Sequence, residues 1–101
     1  MVSGVLTPIF NSNYVMLNTD SFIIYETLIT TQIVTLAMAN SVSSRYYVVI
    51  GDGSGNCSPA ISIIIKSEGL DQIGNRSSIL ITSAYTVIKL ASDGISRWYL
   101  G

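Results

Sequence analysis

The sequence predicts an all-β protein, a small antiparallel sandwich or barrel-like module. Three observations carry that reading. Turn signals recur every eight to twelve residues, the spacing of a many-stranded β domain. Between them lie short runs rich in Ile, Val, Ser and Thr, residues suited to a pleated, half-buried surface. Helix evidence is thin: Glu26 to Ala39 fits a helical wheel only by ignoring Thr27, Ile29, Thr30, Thr31, Ile33, Val34 and Thr35, all β-branched.

The elements follow in order. Val5 to Phe10 is broken by Pro8, which lacks an N–H, so it reads as an arm or an edge strand. Asn11-Ser12-Asn13 turns the chain into a short strand at Tyr14–Leu17. Asn18-Thr19-Asp20-Ser21 is a second turn, its side chains suited to bonding their own backbone. Strands follow at Phe22–Glu26 and Thr31–Ala37, the latter with Val34 and Leu36 on one face. The polar link 39–44 leads to the stretch that organises the chain, Arg45-Tyr46-Tyr47-Val48-Val49-Ile50-Gly51-Asp52-Gly53-Ser54-Gly55-Asn56 and then Pro59-Ala60-Ile61-Ser62-Ile63. It reads as a hairpin with arms near Tyr46–Ile50 and Ala60–Lys66, because Asp52-Gly53 and Ser54-Gly55-Asn56 allow positive φ at little cost. A short Gln72-Ile73 piece, strands at Ser78–Thr82 and Tyr85–Ala91, the turn Ser92-Asp93-Gly94 and a last strand at Ser96–Leu100 complete the chain. We expect an arm over residues 1–12 and a single β domain over 13–101.

Composition points to self-association. At 101 residues the core is modest, yet 49% of the residues are hydrophobic and 11% are charged, against roughly 25% charged in an ordinary soluble domain. Ile61, Ile63 and Ile65 face one way and Ile64 the other; Tyr85 and Val87 face away from Ile88 and Leu90. Strands apolar on both faces are normally covered on both, and no helix is left over to do it. Another subunit is the expected cover.

Several function classes lose support. Lys66, Lys89, Arg45, Arg76 and Arg97 are scattered and the net charge is −1, so no phosphate-binding stripe forms and no nucleic-acid partner is expected. The longest apolar run, Tyr46 to Ile50, is far short of the roughly 20 residues of a membrane helix, and no membrane partner is expected. Met1-Val2-Ser3-Gly4 does not read as the start of a secretory signal. No histidine is present and Cys57 is the single cysteine, which removes Ser-His-Asp and Cys-His catalysis and the usual zinc sets. Asp20, Asp52, Asp71 and Asp93 all sit in turns and read as backbone caps. The Asp52–Asn56 stretch lacks the bidentate Glu and the spacing of a calcium loop. Asn75-Arg76-Ser77 fits a glycosylation acceptor and reads as a turn. Neither catalytic residues nor a cofactor or metal site is expected. The aromatic pairs Tyr46-Tyr47 and Trp98-Tyr99 are the candidate contact residues, at a subunit interface or stacked on a glycan.

The same residues resemble a β module recurrent in bacteriophage structural proteins. In that module a YxVxDxxGN strand-turn precedes a PITI strand, a Gly-containing turn and a closing lxSDGxxWyvi. Here Arg45 to Asn56, Pro59-Ala60-Ile61-Ser62-Ile63, Ile73-Gly74-Asn75, Ala84-Tyr85, Leu90-Ala91-Ser92-Asp93-Gly94 and Arg97-Trp98-Tyr99-Leu100-Gly101 resemble those segments in order. Tyr14–Asp20 and Ile33–Leu36 look like its leading strands. Met38 and Ala39 stand where a Leu-Pro step is frequent. The resemblance implies an intertwined homotrimer, a virion location after synthesis in the bacterial cytoplasm, and no enzymatic role. The expected function is capsid decoration (cement), with the major capsid protein or another virion protein as partner. The alternative is a tail-fibre or adapter module that binds host surface glycan.

Overall fold

The computed structural model describes residues 6–100, and they form an all-β structure. The strands are β1 (Leu6–Phe10), β2 (Tyr14–Val15), β3 (Phe22–Thr27), β4 (Gln32–Thr35), β5 (Tyr47–Asp52), β6 (Ile63–Lys66), β7 (Gln72–Ile73), β8 (Ser78–Ile81), β9 (Val87–Ser92) and β10 (Arg97–Leu100). One three-residue 3₁₀ turn, Ala39–Ser41, is the sole helical element among the described residues. The expected arm lies partly outside the described residues, at 1–5. Its described part is β1, the edge strand that Pro8 anticipates, with Ile9 in the core.

Two sheets share one core. The six-stranded sheet runs β1-β3-β5-β9-β10-β7 and the four-stranded sheet β2-β4-β6-β8. From β1 to β9 each strand lies in the opposite sheet from the one before it. The chain therefore winds through three circuits, β1–β2, β3–β4 and β5–β6, each stacked in parallel on the last. It then reverses, setting β8 antiparallel to β6 and β9 antiparallel to β5. The β9–β10 pair is the hairpin expected at Asp93-Gly94.

This arrangement corrects two expectations. The sheets are mixed, not antiparallel: five of the eight strand pairings are parallel. The organising stretch is not a hairpin either, because β5 and β6 lie in different sheets.

The physical reason lies in the corners. Asn11 takes a left-handed φ of 48°, a conformation asparagine tolerates. Its Oδ1 accepts the amides of Ile29 at 2.8 Å and Thr30 at 3.0 Å, in the corner of the next circuit. Asn13 Oδ1 accepts Ile33 N at 2.8 Å. In the third corner Asn56 Nδ2 donates to Leu28 O at 3.2 Å, and the Ser62 amide donates to Thr31 Oγ1 at 3.1 Å. Side chains that suit a tight turn instead satisfy the backbone of a neighbouring corner, so each link crosses to the other sheet.

Period-two alternation then fills the interior. Ile9, Ile23, Tyr25, Val48, Ile50, Leu90 and Trp98 point inward from one sheet; Val34, Ile63, Ile65 and Ile81 meet them from the other. Buried polar groups are satisfied: Tyr25 Oη donates to Ser12 O at 2.8 Å and Trp98 Nε1 to Ala37 O at 3.1 Å. Gly51 is required by close approach. A Cβ there would lie 2.6 Å from Thr86 O and 2.7 Å from Val87 Cα, both backbone atoms of the antiparallel neighbour.

Candidate functional site

Three buried carboxylates are the first chemistry to weigh. Asp20 Oδ2 accepts Tyr14 Oη at 2.7 Å and Leu17 N at 2.8 Å, while Oδ1 accepts Thr7 Oγ1 at 3.1 Å. Its backbone carbonyl accepts the Tyr46 hydroxyl. Burial, with the Asp20 carboxylate as neighbour, pushes the Tyr14 phenol up to about 12. Asp71 Oδ2 accepts Ala39 N at 2.7 Å. Asp52 is the most heavily used. Its Oδ1 takes Ser54 N at 3.0 Å and Ser54 Oγ at 2.6 Å. Its Oδ2 takes Gly55 N at 3.0 Å, Tyr85 N at 3.1 Å and Cys57 N at 3.3 Å. Burial raises the Asp52 carboxyl, but these hydrogen bonds outweigh it and hold the group below its ordinary value.

Each carboxylate thus accepts at least one backbone amide, Asp20 alongside two hydroxyls, as the turn positions of the four aspartates suggest. An oxygen ringed by N–H donors is a poor ligand for calcium, which takes carboxylate and carbonyl oxygens. Asp52 instead ties the β5–β6 corner to the β8–β9 link. There Gly55 has φ 82° and lies under the Tyr85 ring, whose Cζ is 2.6 Å from where a Cβ would sit. Burial pushes the Cys57 thiol up, and its Sγ faces Ile81 O at 3.1 Å. No group of three or more metal-ligating side chains occurs among the described residues.

The four candidate aromatics divide between the interior and one outer surface. Trp98 is fully buried. Tyr46 is half-buried, packed against the core and bonded to Asp20 O. Tyr47 and Tyr99 stand on the outer face of the six-stranded sheet, about half exposed, in one row with Ala91 between them. Lys89 Nζ lies 4.4 Å from the Tyr47 ring centroid, a cation–π contact.

That outer face is the feature the aromatics alone did not reveal. The register sets Leu6, Phe22, Val49 and Lys89 in the next row, and Pro8, Ile24, Gly51 and Val87 in the one beyond. Phe10, Glu26 and Tyr85 border it at the far end. Leu6, Tyr47, Val87 and Tyr99 are each about half exposed and Phe10 is 64% exposed. Lys89 is the charge within the three rows, and Glu26 is the charge on the far border. The signal was available as alternate residues in each strand, but collecting them into one face needs the strand order. The opposite sheet shows a narrower stripe, Ile33, Ile64 and Leu80, with Leu80 59% exposed.

Comparison with protein-family models, with characterised proteins and with solved structures finds no match to this chain.

Proposed function

We propose that this chain is a non-enzymatic structural protein of a bacteriophage virion, acting as a homotrimeric capsid decoration (cement) protein. In this reading its two sheets form a sandwich that meets other copies through the outer face of the six-stranded sheet. The observation that carries the reading is that face: three successive rows of apolar and aromatic side chains, interrupted by a single cation, where a monomer would keep polar residues. Large exposed apolar patches mark association sites. The resemblance of the Tyr46–Asn56 and Leu90–Leu100 stretches to phage β modules supplies the virion setting and the threefold symmetry. Burial of the face would stabilise the trimer at roughly 25 cal/mol per Å² of apolar area, less the cost of ordering.

The test is the copy number of the chain in purified virions, by quantitative mass spectrometry against the major capsid protein. Hundreds of copies in a simple ratio to that protein support decoration. A few dozen or fewer support the second reading, a tail-fibre or adapter module that binds host glycan. That reading is favoured by Tyr47 and Tyr99, whose half-exposed rings share a row and suit stacking on sugars. It requires Tyr47→Ala and Tyr99→Ala to abolish adsorption while the oligomer persists. Absence from the virion overturns both.

A further inference from the structure

We infer that the outer face of the six-stranded sheet packs against further copies of this chain, with Lys89 of one copy paired with Glu26 of the next. The inference rests on the oligomeric reading above and names the contact that would build it. The face covers five strands, about 24 Å, by about 20 Å along them. That is roughly 500 Å², toward the upper end of what a monomer leaves open.

The occupant is argued from charge. Glu26 and Lys89 are both exposed, and both project from the outer face of this sheet. Val49 pairs with Lys89, and Tyr25 pairs with Asp52, which sets Glu26 beside Gly53. The two positions are therefore two strands apart, about 10 Å, and four residues apart along the strands, about 13 Å. Within one chain they are too distant to form an ion pair. They lie on opposite sides of Gly51, near the centre of the face. A cyclic trimer with head-to-tail contacts needs such an arrangement, since each copy presents one side of a patch to one neighbour and the other side to the next. Lys89 then leaves the Tyr47 ring for a carboxylate, and Glu26 finds a cation where the contact excludes water. Burying either charge in an apolar contact without the other would oppose assembly. A polar or charged foreign partner would not need the apolar rows; a second copy supplies matching rows and the complementary charge.

The experiment is sedimentation velocity on the full chain, with E26K, K89E and the E26K/K89E double variant at near-physiological salt. The wild type is expected to be a trimer. Each single variant places like charges together and should weaken association at least tenfold; the double variant, with the charges exchanged, should recover it. Both positions are exposed, so thermal melts matching the wild type will show that the single variants remain folded. A trimeric wild type whose single variants associate equally well overturns the pairing and leaves the oligomeric reading standing. A wild type that is monomeric at about 100 μM overturns both.

Discussion

Replacing Asp52 with Asn keeps the shape of the side chain and removes its charge and one of its two acceptors. Either amide orientation is penalised. With the NH2 group toward Gly55, Cys57 and Tyr85, three amides lose their acceptor; turned the other way, it faces the Ser54 amide. The second is the lesser loss. It strands one amide, at about 1–3 kcal/mol, and turns three charge-assisted bonds into neutral ones, each weaker by about 1 kcal/mol or less. Asp52 is 2% exposed, so solvent does not compensate. The expected destabilisation is about 3–5 kcal/mol. With a urea m-value of about 1–1.5 kcal/mol/M for a chain of this size, the midpoint should fall by roughly 2–5 M. Asp93→Asn is the control: Asp93 Oδ1 accepts Ile95, Ser96 and Arg97 amides in a similar turn, but at the exposed surface, and its loss should be much smaller. Acid sensitivity provides a second readout. The folded Asp52 titrates below its unfolded value of about 4. Its stabilisation is therefore present above that value and lost as pH falls through the folded one. The Asn variant should lack that part of the acid limb. A midpoint shift under about 0.5 M with an unchanged m-value would refute the reasoning.

Three other expectations follow from close packing and burial. Gly51→Ala forces β9 away from β5, because the new Cβ meets backbone of Thr86 and Val87; thermal melts should show a loss of about 1–3 kcal/mol, only partly relieved by adding Val87→Ala. Trp98→Phe leaves Ala37 O without its donor and a void in the core. The cost should be about 2–3 kcal/mol, read as a melting temperature lower by about 10 °C or more. Tyr14 and Tyr25 are both pushed up to about 12, Tyr25 by burial alone. Their contribution is full below the unfolded value of about 10 and is lost as pH rises toward about 12, so ultraviolet titration should show late phenolate formation coinciding with unfolding.

Most strands were legible because period-two alternation and turn residues are local signals. Val34 and Leu36, or Ile63 and Ile65, declare a buried side without reference to anything distant. Apart from the β9–β10 hairpin at Asp93-Gly94, which strand lies beside which was not legible. Asp52-Gly53 is the turn signal of a hairpin, but here the carboxylate of Asp52 gathers amides from its own corner and from Tyr85, 33 residues away, and the chain leaves for the other sheet. Asn11 likewise reads as a turn residue, and only the structure shows its Oδ1 serving the next circuit. The division of the aromatics follows from the same local rule: Trp98 and Tyr99, or Tyr46 and Tyr47, are adjacent in sequence and so point to opposite sides. That Tyr47, Val49, Val87 and Tyr99 form one surface depends on a strand order that no local signal encodes.

The winding of the first six strands has a consequence for how the molecule comes to be. None of β1 to β6 pairs with the strand next to it in sequence, so no step in this half is a quick local closure. Among the described residues the single sequence-adjacent pair is β9–β10, near the far end of the chain. A polypeptide emerging from the ribosome would therefore make its early strands long before the strands that lock them, and folding would wait on distant contacts. Refolding from urea should take milliseconds to seconds despite the small size, and slowing synthesis should leave the early strands open to proteases. A microsecond refolding phase carrying the full amplitude would contradict this. Assembly, if it needs the finished sheet face, would then begin only after the last strands are in place.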